Sequence, residues 1–200
     1  MSDQPVVPFV GLTGGMGAGK STALAALQDL GAAVLSTDAV VHELYGGSQV
    51  RDAVVERWGE EVAPAGTVDR AAVAAKAFED PAERQWLEGL LWPLVGQRIA
   101  EWLQEARAST PAPRAAIVEV PLLFEAGMGE MFDATIAIVA EEQLRRERAA
   151  GRGHALADER VARQISQEEK AGRATFAVHN NGSEQELLAK LSAILDKLRV

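Results

Sequence analysis

Residues 14–21 read Gly-Gly-Met-Gly-Ala-Gly-Lys-Ser and fit the pattern G-x-x-x-x-G-K-[ST], with Thr22 behind it. Few short patterns constrain a fold as tightly. The glycines let the backbone turn sharply and point several N–H groups into one concavity, which suits a polyphosphate. In such a loop the lysine, here Lys20, reaches the β- and γ-phosphates, and the hydroxyl of Ser21 sits on Mg²⁺. The geometry requires a strand before the loop and a helix after it. Val6 to Leu12 is an apolar, β-branched run of the kind found in buried parallel strands. Ser21 to Leu30 carries Leu24, Leu27 and Leu30 and stops at Gly31, which reads as a helix whose dipole favours the same anion. Gly15, Gly17, Ala18, Gly19, Lys20, Ser21 and Thr22 are therefore the candidate ATP-binding residues. The motif alone does not say what becomes of the phosphate.

The rest of the chain alternates in the same way. Strands are expected at Ala32–Leu35, Ala115–Val120, Ala134–Val139 and Phe176–Val178, with helices between them. Alternation of this kind implies an α/β fold with a parallel sheet covered on both faces, and right-handed crossovers place the phosphate loop at the C-terminal edge of the sheet. Residues 37–107 are nearly all helical by pattern, broken at Gly46-Gly47, Gly59 and Pro64–Gly66. That is long for one crossover, so a helical lobe beside the core is expected, overhanging the strand ends. Asp80-Pro81-Ala82-Glu83 is a strong helix start. Pro93 is expected to kink or break the helix that runs on towards Arg107. Two further helices are predicted over Glu141–Ala149 and Ala157–Lys170, separated by Gly151-Arg152-Gly153. Ser183 with Glu186 forms a capping box for a last helix, with an apolar stripe of Leu187, Leu188, Leu191, Leu195 and Leu198.

The expected organisation is one domain: a core of about residues 6–36 and 114–200, a lobe over about 37–107 and an arginine-bearing segment over about 145–163. The chain has 200 residues, no cysteine and a formal net charge of −9. These values exclude a disulfide scaffold and a Cys-type zinc site, and argue against a general nucleic-acid binder. His42, His154 and His179 show no metal-ligand spacing. No apolar run reaches membrane-spanning length and Met1–Phe9 does not resemble a leader, so a cytoplasmic location is the default expectation. A monomer is expected by default, and an oligomer is not excluded.

Four features could turn a triphosphate holder into a phosphoryl-transfer site. Asp38 follows the second strand at the sheet edge that carries the loop; a carboxylate there either orients an acceptor hydroxyl or caps a helix. Glu119 ends the third strand where a water-mediated magnesium contact is made in sites of this type. The loop behind it, Val120-Pro121-Leu122-Leu123-Phe124-Glu125, is apolar and either lines a pocket or packs in the core. Arg145, Arg146, Arg148, Arg152, Arg160 and Arg163 crowd one short segment. An arginine from it over the γ-phosphate stabilises transition-state charge, whereas the interspersed acids suit a solvated helix face. His179-Asn180-Asn181-Gly182 is a polar turn that either cradles an adenine or simply turns.

Taken together, GLTGGMGAGKST at 11–22, Thr37-Asp38-Ala39, Val68-Asp69-Arg70, Leu87-Glu88 with Pro93, VPLLFE at 120–125, Gln143 with Arg146, Arg163-Gln164 and Asn181-Gly182 resemble the bacterial dephospho-coenzyme A kinase family. The phosphate loop belongs to a vast superfamily, but VPLLFE with the D-R and L-E…P elements is far more specific. The resemblance implies a P-loop three-layer fold with a five-stranded sheet, a CoA-binding helical lobe and an arginine lid. It implies transfer of the γ-phosphoryl of ATP to the ribose 3′-hydroxyl of dephospho-CoA, the last step of coenzyme A synthesis. It makes Asp38 the catalytic carboxylate, with Lys20 and Arg146 beside it. It places Arg70, Leu122, Leu123 and Phe124 on the acceptor, Asn181 on the nucleotide, and Ser21 with Glu119 on Mg²⁺. The sequence departs from the family at Ser36, where a second acid is usual, at Glu119 for Asp, at Trp92 for His, and at Thr175 for Asp. Rival readings are another small-metabolite kinase, which lacks VPLLFE, and a nucleotide switch, for which no N-K-x-D base-reading motif is present.

Overall fold

The computed structural model describes residues 6–150 and 164–198. The expected positions Gly151, Arg152, Gly153, His154, Arg160 and Arg163, and the start of a helix at Ala157, lie outside the described residues.

Five strands form one parallel sheet: β1 (Phe9–Gly14), β2 (Ala33–Ser36), β3 (Ala116–Glu119), β4 (Ala134–Val139) and β5 (Phe176–His179), in the order β2-β3-β1-β4-β5. Every residue of β3 and β4 is buried, Glu119 and Thr135 included, as expected of largely apolar strands in a sheet covered on both faces. On one face lie α1 (Lys20–Asp29) and the C-terminal helix α8 (Glu184–Lys197). Leu27, Leu187, Leu191 and Leu195 pack there against Leu12, Ile117, Ile136 and Ile138. Full burial of such side chains contributes about 1.5–3 kcal/mol each. The register aligns Leu12 with Glu119 and Glu119 with Ser36, so three strand ends lie side by side at one edge. Strand order reverses about β1, and crevices outside the carboxyl ends at such a point are where open parallel sheets bind ligands.

Between β2 and β3 the chain forms a second compact unit, Thr37–Trp102. It contains α2 (Thr37–Gly46), α3 (Ser48–Trp58), α4 (Arg70–Glu79) and most of α5 (Pro81–Ala108). Val50, Val54, Val62, Val73, Leu87 and Leu91 form its own apolar centre. Asp69 caps α4 by accepting from the amides of Ala71 (2.9 Å) and Ala72 (3.2 Å), and Asp80 caps α5 through Ala82 (2.8 Å).

Three local expectations are corrected. Of the kink or break expected at Pro93, the break does not occur, for α5 continues past it. A proline removes one backbone hydrogen bond, but Leu87 and Leu91 before it and Ile99 after it are all buried, and this packing holds the helix on both sides. Of the helix predicted to end at Lys170, the described part is non-helical at 164–166 and helical in α7 (Gln167–Arg173), whose N-cap Ser166 accepts from the amide of Glu169 at 3.0 Å. In α8, Leu188 faces outwards and Ile194 takes the buried position.

One polar knot carries a testable pH dependence. Glu83 accepts from Arg57 Nη2 (2.6 Å), Arg57 Nε (3.0 Å) and Trp58 Nε1 (2.7 Å), beside the edge-to-face pair Trp58–Trp86. The Arg57 hydrogen bonds, then that of Trp58, hold the Glu83 carboxyl below its ordinary value. A group whose pKa is depressed on folding stabilises the folded state above its unfolded pKa and loses that contribution as pH falls through its folded value. The Tm advantage of the natural protein over Glu83→Gln should therefore shrink as pH falls from about 6 to about 3. Tryptophan-monitored melts across that range check it, and a gap that does not move with pH would contradict it.

Candidate functional site

The loop at the β1–α1 junction is held open by its neighbours. Gly17 (φ +73°) and Gly19 (φ +95°) adopt left-handed backbone that L side chains avoid. A Cβ on Gly17 would strike the carbonyl oxygen of Arg145, and one on Gly19 would strike Asn180 Nδ2. The glycines are thus demanded by close packing as well as by the turn. Gly19 is the N-cap of α1 and offers no side-chain cap, so the first amides of the helix retain their donors for an anion. Lys20 Nζ donates to the carbonyl of Gly15 at 3.3 Å, which places the ammonium over the concavity. Ala18 is fully buried; its carbonyl accepts from Asn180 Nδ2 at 2.9 Å. Ser21 and Thr22 follow in the exposed first turn of α1.

The helix after β4, α6 (Glu142–Ala150), lies against this loop. Arg145 Nε donates to the carbonyl of Met16 at 2.9 Å, and its Nη2 lies 3.1 Å from where a Cβ of Gly15 would be. Arg148 Nη1 donates to the carbonyl of Asn180 at 3.1 Å. Arg146 is not brought to the loop: it is exposed and paired with Glu142 one turn back. Residues three apart share a helix face, so 145 and 148 turn inwards together while 146 pairs along the outside. That phase is the signal by which the sequence marks Arg145. A cavity of about 340 Å³ opens here, lined by Gly15, Glu141, Arg145 and Gln167 among others.

Asn181, the residue expected on the nucleotide, is exposed in the turn after β5. Its Oδ1 accepts from the Glu141 amide (2.9 Å) and its Nδ2 donates to Glu141 Oε1 (3.1 Å), which ties that turn to the start of α6. The tie to the phosphate loop is made by Asn180, which is buried, and no pattern in the sequence distinguishes it from its neighbour.

At the next strand end, Glu119 is buried and its Oε2 accepts from Ser36 Oγ at 2.8 Å. Ser36, where the family usually has an acid, therefore serves as a donor to the carboxylate that closes β3. The following loop turns inwards more than expected. Leu123 is completely buried and Phe124 nearly so, and a Cβ on Gly11 would meet Leu123 Cδ1 at 2.5 Å. Leu123 is thus a core residue, Phe124 is buried but lines a cavity of about 630 Å³ with Phe132, Arg173 and Thr175, and of the three only Leu122 is partly exposed. The Leu123 side chain packs over the glycine of β1, beside Phe132, because burial there removes it from water at no polar cost. Lys170 from α7 is wholly buried beneath this loop.

Within the helical unit, Arg70 donates to His42 Nδ1 at 2.8 Å. Asp38 is the second residue of α2 and exposed, inside the helix rather than at its cap. A carboxylate in the first turn is favoured by the helix dipole. Trp92 is 58% exposed. Among the described residues no group of three or more His, Cys, Asp or Glu could hold a metal ion, and no helix is long and apolar enough to cross a membrane.

The model of the dephospho-CoA kinase family matches residues 8–186. The chain belongs to this family. It is 38% identical over 190 residues to a dephospho-CoA kinase of Mycolicibacterium paratuberculosis, covering 92% of this chain and 46% of that protein. It is 37% identical over 195 residues to a dephospho-CoA kinase of Anaeromyxobacter dehalogenans, covering 95% of this chain and 92% of that protein. The fold agrees with the crystal structure of TT1252 from Thermus thermophilus at a TM-score of 0.77 and 32% identity, covering 96% of this chain and 98% of that one. The parallel five-stranded sheet with its phosphate loop is thus the P-loop kinase architecture of the dephospho-CoA kinase family.

Proposed function

We propose that the chain transfers the γ-phosphoryl of ATP to the ribose 3′-hydroxyl of dephospho-CoA, giving CoA and ADP. The observation that carries the donor half is the loop itself: two left-handed glycines that a Cβ would block, with the Lys20 ammonium over the Gly15 carbonyl. Family membership over 8–186 supports the acceptor half. The new bond joins the 3′-oxygen to the γ-phosphorus as the bond from that phosphorus to the bridging oxygen breaks, and the electron pair leaves with ADP. Asp38 orients the hydroxyl and takes its proton. Lys20 and the α1 amides stabilise charge on the phosphate oxygens. Of the α6 arginines, Arg145 is placed best to join them, since its guanidinium already lies against Gly15 and Met16. Ser21 and Glu119 offer oxygen donors of the kind Mg²⁺ accepts alongside retained waters, and that ion neutralises phosphate charge when bound. Arg70 and Leu122 serve the acceptor. The enzyme is proposed to work in the cytoplasm as a monomer.

A coupled ADP-release assay decides this. ADP should appear with Mg-ATP and dephospho-CoA, in step with CoA. Equal release without acceptor would favour a switch, and faster release with shikimate, gluconate or a nucleoside monophosphate would favour another metabolite kinase.

A further inference from the structure

One buried charge has no part in the chemistry above. Lys170 on α7 has no exposed surface, and its ammonium donates to the Pro121 carbonyl (2.9 Å) and pairs with Glu125 Oε1 (2.9 Å). Glu125 Oε1 also accepts from the Ile165 amide at 3.0 Å. The Pro121 carbonyl has a second donor, Thr13 Oγ1 at 3.3 Å, from the strand that leads directly into the phosphate loop. Arg173, one turn on, lies over the Phe124 ring at 5.1 Å and donates to its carbonyl at 3.4 Å. At the other end of α7, the amide of Gln167 clasps Ala140 twice, accepting from its N–H (3.1 Å) and donating to its carbonyl (2.9 Å). Ala140 is two residues before the helix that carries Arg145 onto the loop.

We propose that Lys170 is a positioning residue that sets the 121–125 loop against the phosphate-binding strand, with α7 as a brace between the donor and acceptor sides. Burying an ion pair costs desolvation that its mutual attraction only roughly offsets, so a hydrophobic pair of similar volume would serve stability equally well. What an apolar pair cannot do is hold one particular carbonyl. The ammonium does so at Pro121, whose carbonyl is also bonded to Thr13, and the loop thereby gains one fixed height above β1. Leu122, partly exposed in that loop, is held by the same arrangement. A small displacement of a substrate-positioning element costs far more in rate than in stability.

This inference rests on the proposed acceptor role of the 121–125 loop, and its test separates the two. Lys170→Met alone leaves Glu125 buried without its partner and is expected to destabilise the fold. The informative variant is Lys170→Met with Glu125→Met. It should fold and melt within a few degrees of the natural protein, the Ile165 amide having lost its acceptor, and bind ATP within about twofold, while KM for dephospho-CoA rises about tenfold. Independently of substrate, the amides of Ala126, Gly127 and Met128, which bond back to Leu122, Phe124 and Leu123, should exchange hydrogen about tenfold faster, with β1 and β4 unchanged. A double variant that fails to fold would overturn the proposal, because the pair would then be holding the core together. So would a folded variant with both acceptor KM and local exchange unchanged, or one that loosens everywhere equally. If the natural protein does not use dephospho-CoA, the functional reading fails, and the exchange measurement still decides the role of Lys170.

Discussion

Lys20→Ala is expected to lower kcat/KM for ATP by about a thousandfold and to weaken ATP binding by at least about tenfold. The magnitude follows from what the ammonium does. It is a full charge at the mouth of a concavity otherwise lined by amide dipoles, and one well-placed donor to developing charge is worth roughly 3–4 kcal/mol in a preorganised site. The structure places Nζ on the Gly15 carbonyl, over the space the phosphates would fill. Removing it should leave the loop standing, because its shape has other supports: Arg145 on Met16 and Asn180 on Ala18. Circular dichroism and Tm should therefore stay close to those of the natural protein. Titration with a non-hydrolysable ATP analogue and a coupled assay check both effects. Affinity and turnover within about twofold of the natural protein would remove Lys20 from the site.

Much of the architecture was written locally. Ala134–Val139 is a run of apolar residues interrupted only by Thr135, and it is β4 to the residue. The G-x-x-x-x-G-K-S octapeptide occupies the junction its chemistry demands, and the helical reading of 37–107 matches the helices found there. The misreadings share a physical origin: each depended on a partner distant in sequence. Pro93 reads as a breaker because the rule considers one helix, while the packing of Leu87, Leu91 and Ile99 is tertiary. Leu123 reads as pocket or core, since hydrophobicity is the same in both, and the glycine at position 11 opposite it decides for core. Arg146 stood out through the family pattern, whereas helical phase turns Arg145 and Arg148 inwards. Asn180 and Asn181 are chemically identical neighbours, so only their distant partners tell them apart, the loop for one and Glu141 for the other. Lys170 gave no signal at all, because a lysine near the end of a polar helix is ordinarily solvated.

Asp38→Asn is the second large effect, and it separates chemistry from binding. Asparagine keeps the size and one acceptor of the side chain but cannot take a proton from an attacking hydroxyl. General-base contributions of this kind amount to about 10²- to 10⁴-fold, so kcat should fall by roughly a thousandfold while ATP affinity stays within about twofold. The position makes a purely structural explanation of such a loss weak. Asp38 is exposed and lies inside α2 rather than at its cap, and loss of a first-turn carboxylate's interaction with the helix dipole costs about 0.3–1 kcal/mol. That cost would appear in Tm and not in turnover. The chain path supports the role further: Ser36, two residues earlier, ends β2 in register with Glu119, at the edge where β1 gives way to the phosphate loop. Paired measurements of Tm, ATP affinity and kcat on one preparation decide between the two. A variant with lowered Tm and nearly normal turnover would make Asp38 a helix-stabilising acid, and the proton acceptor would then have to be sought elsewhere.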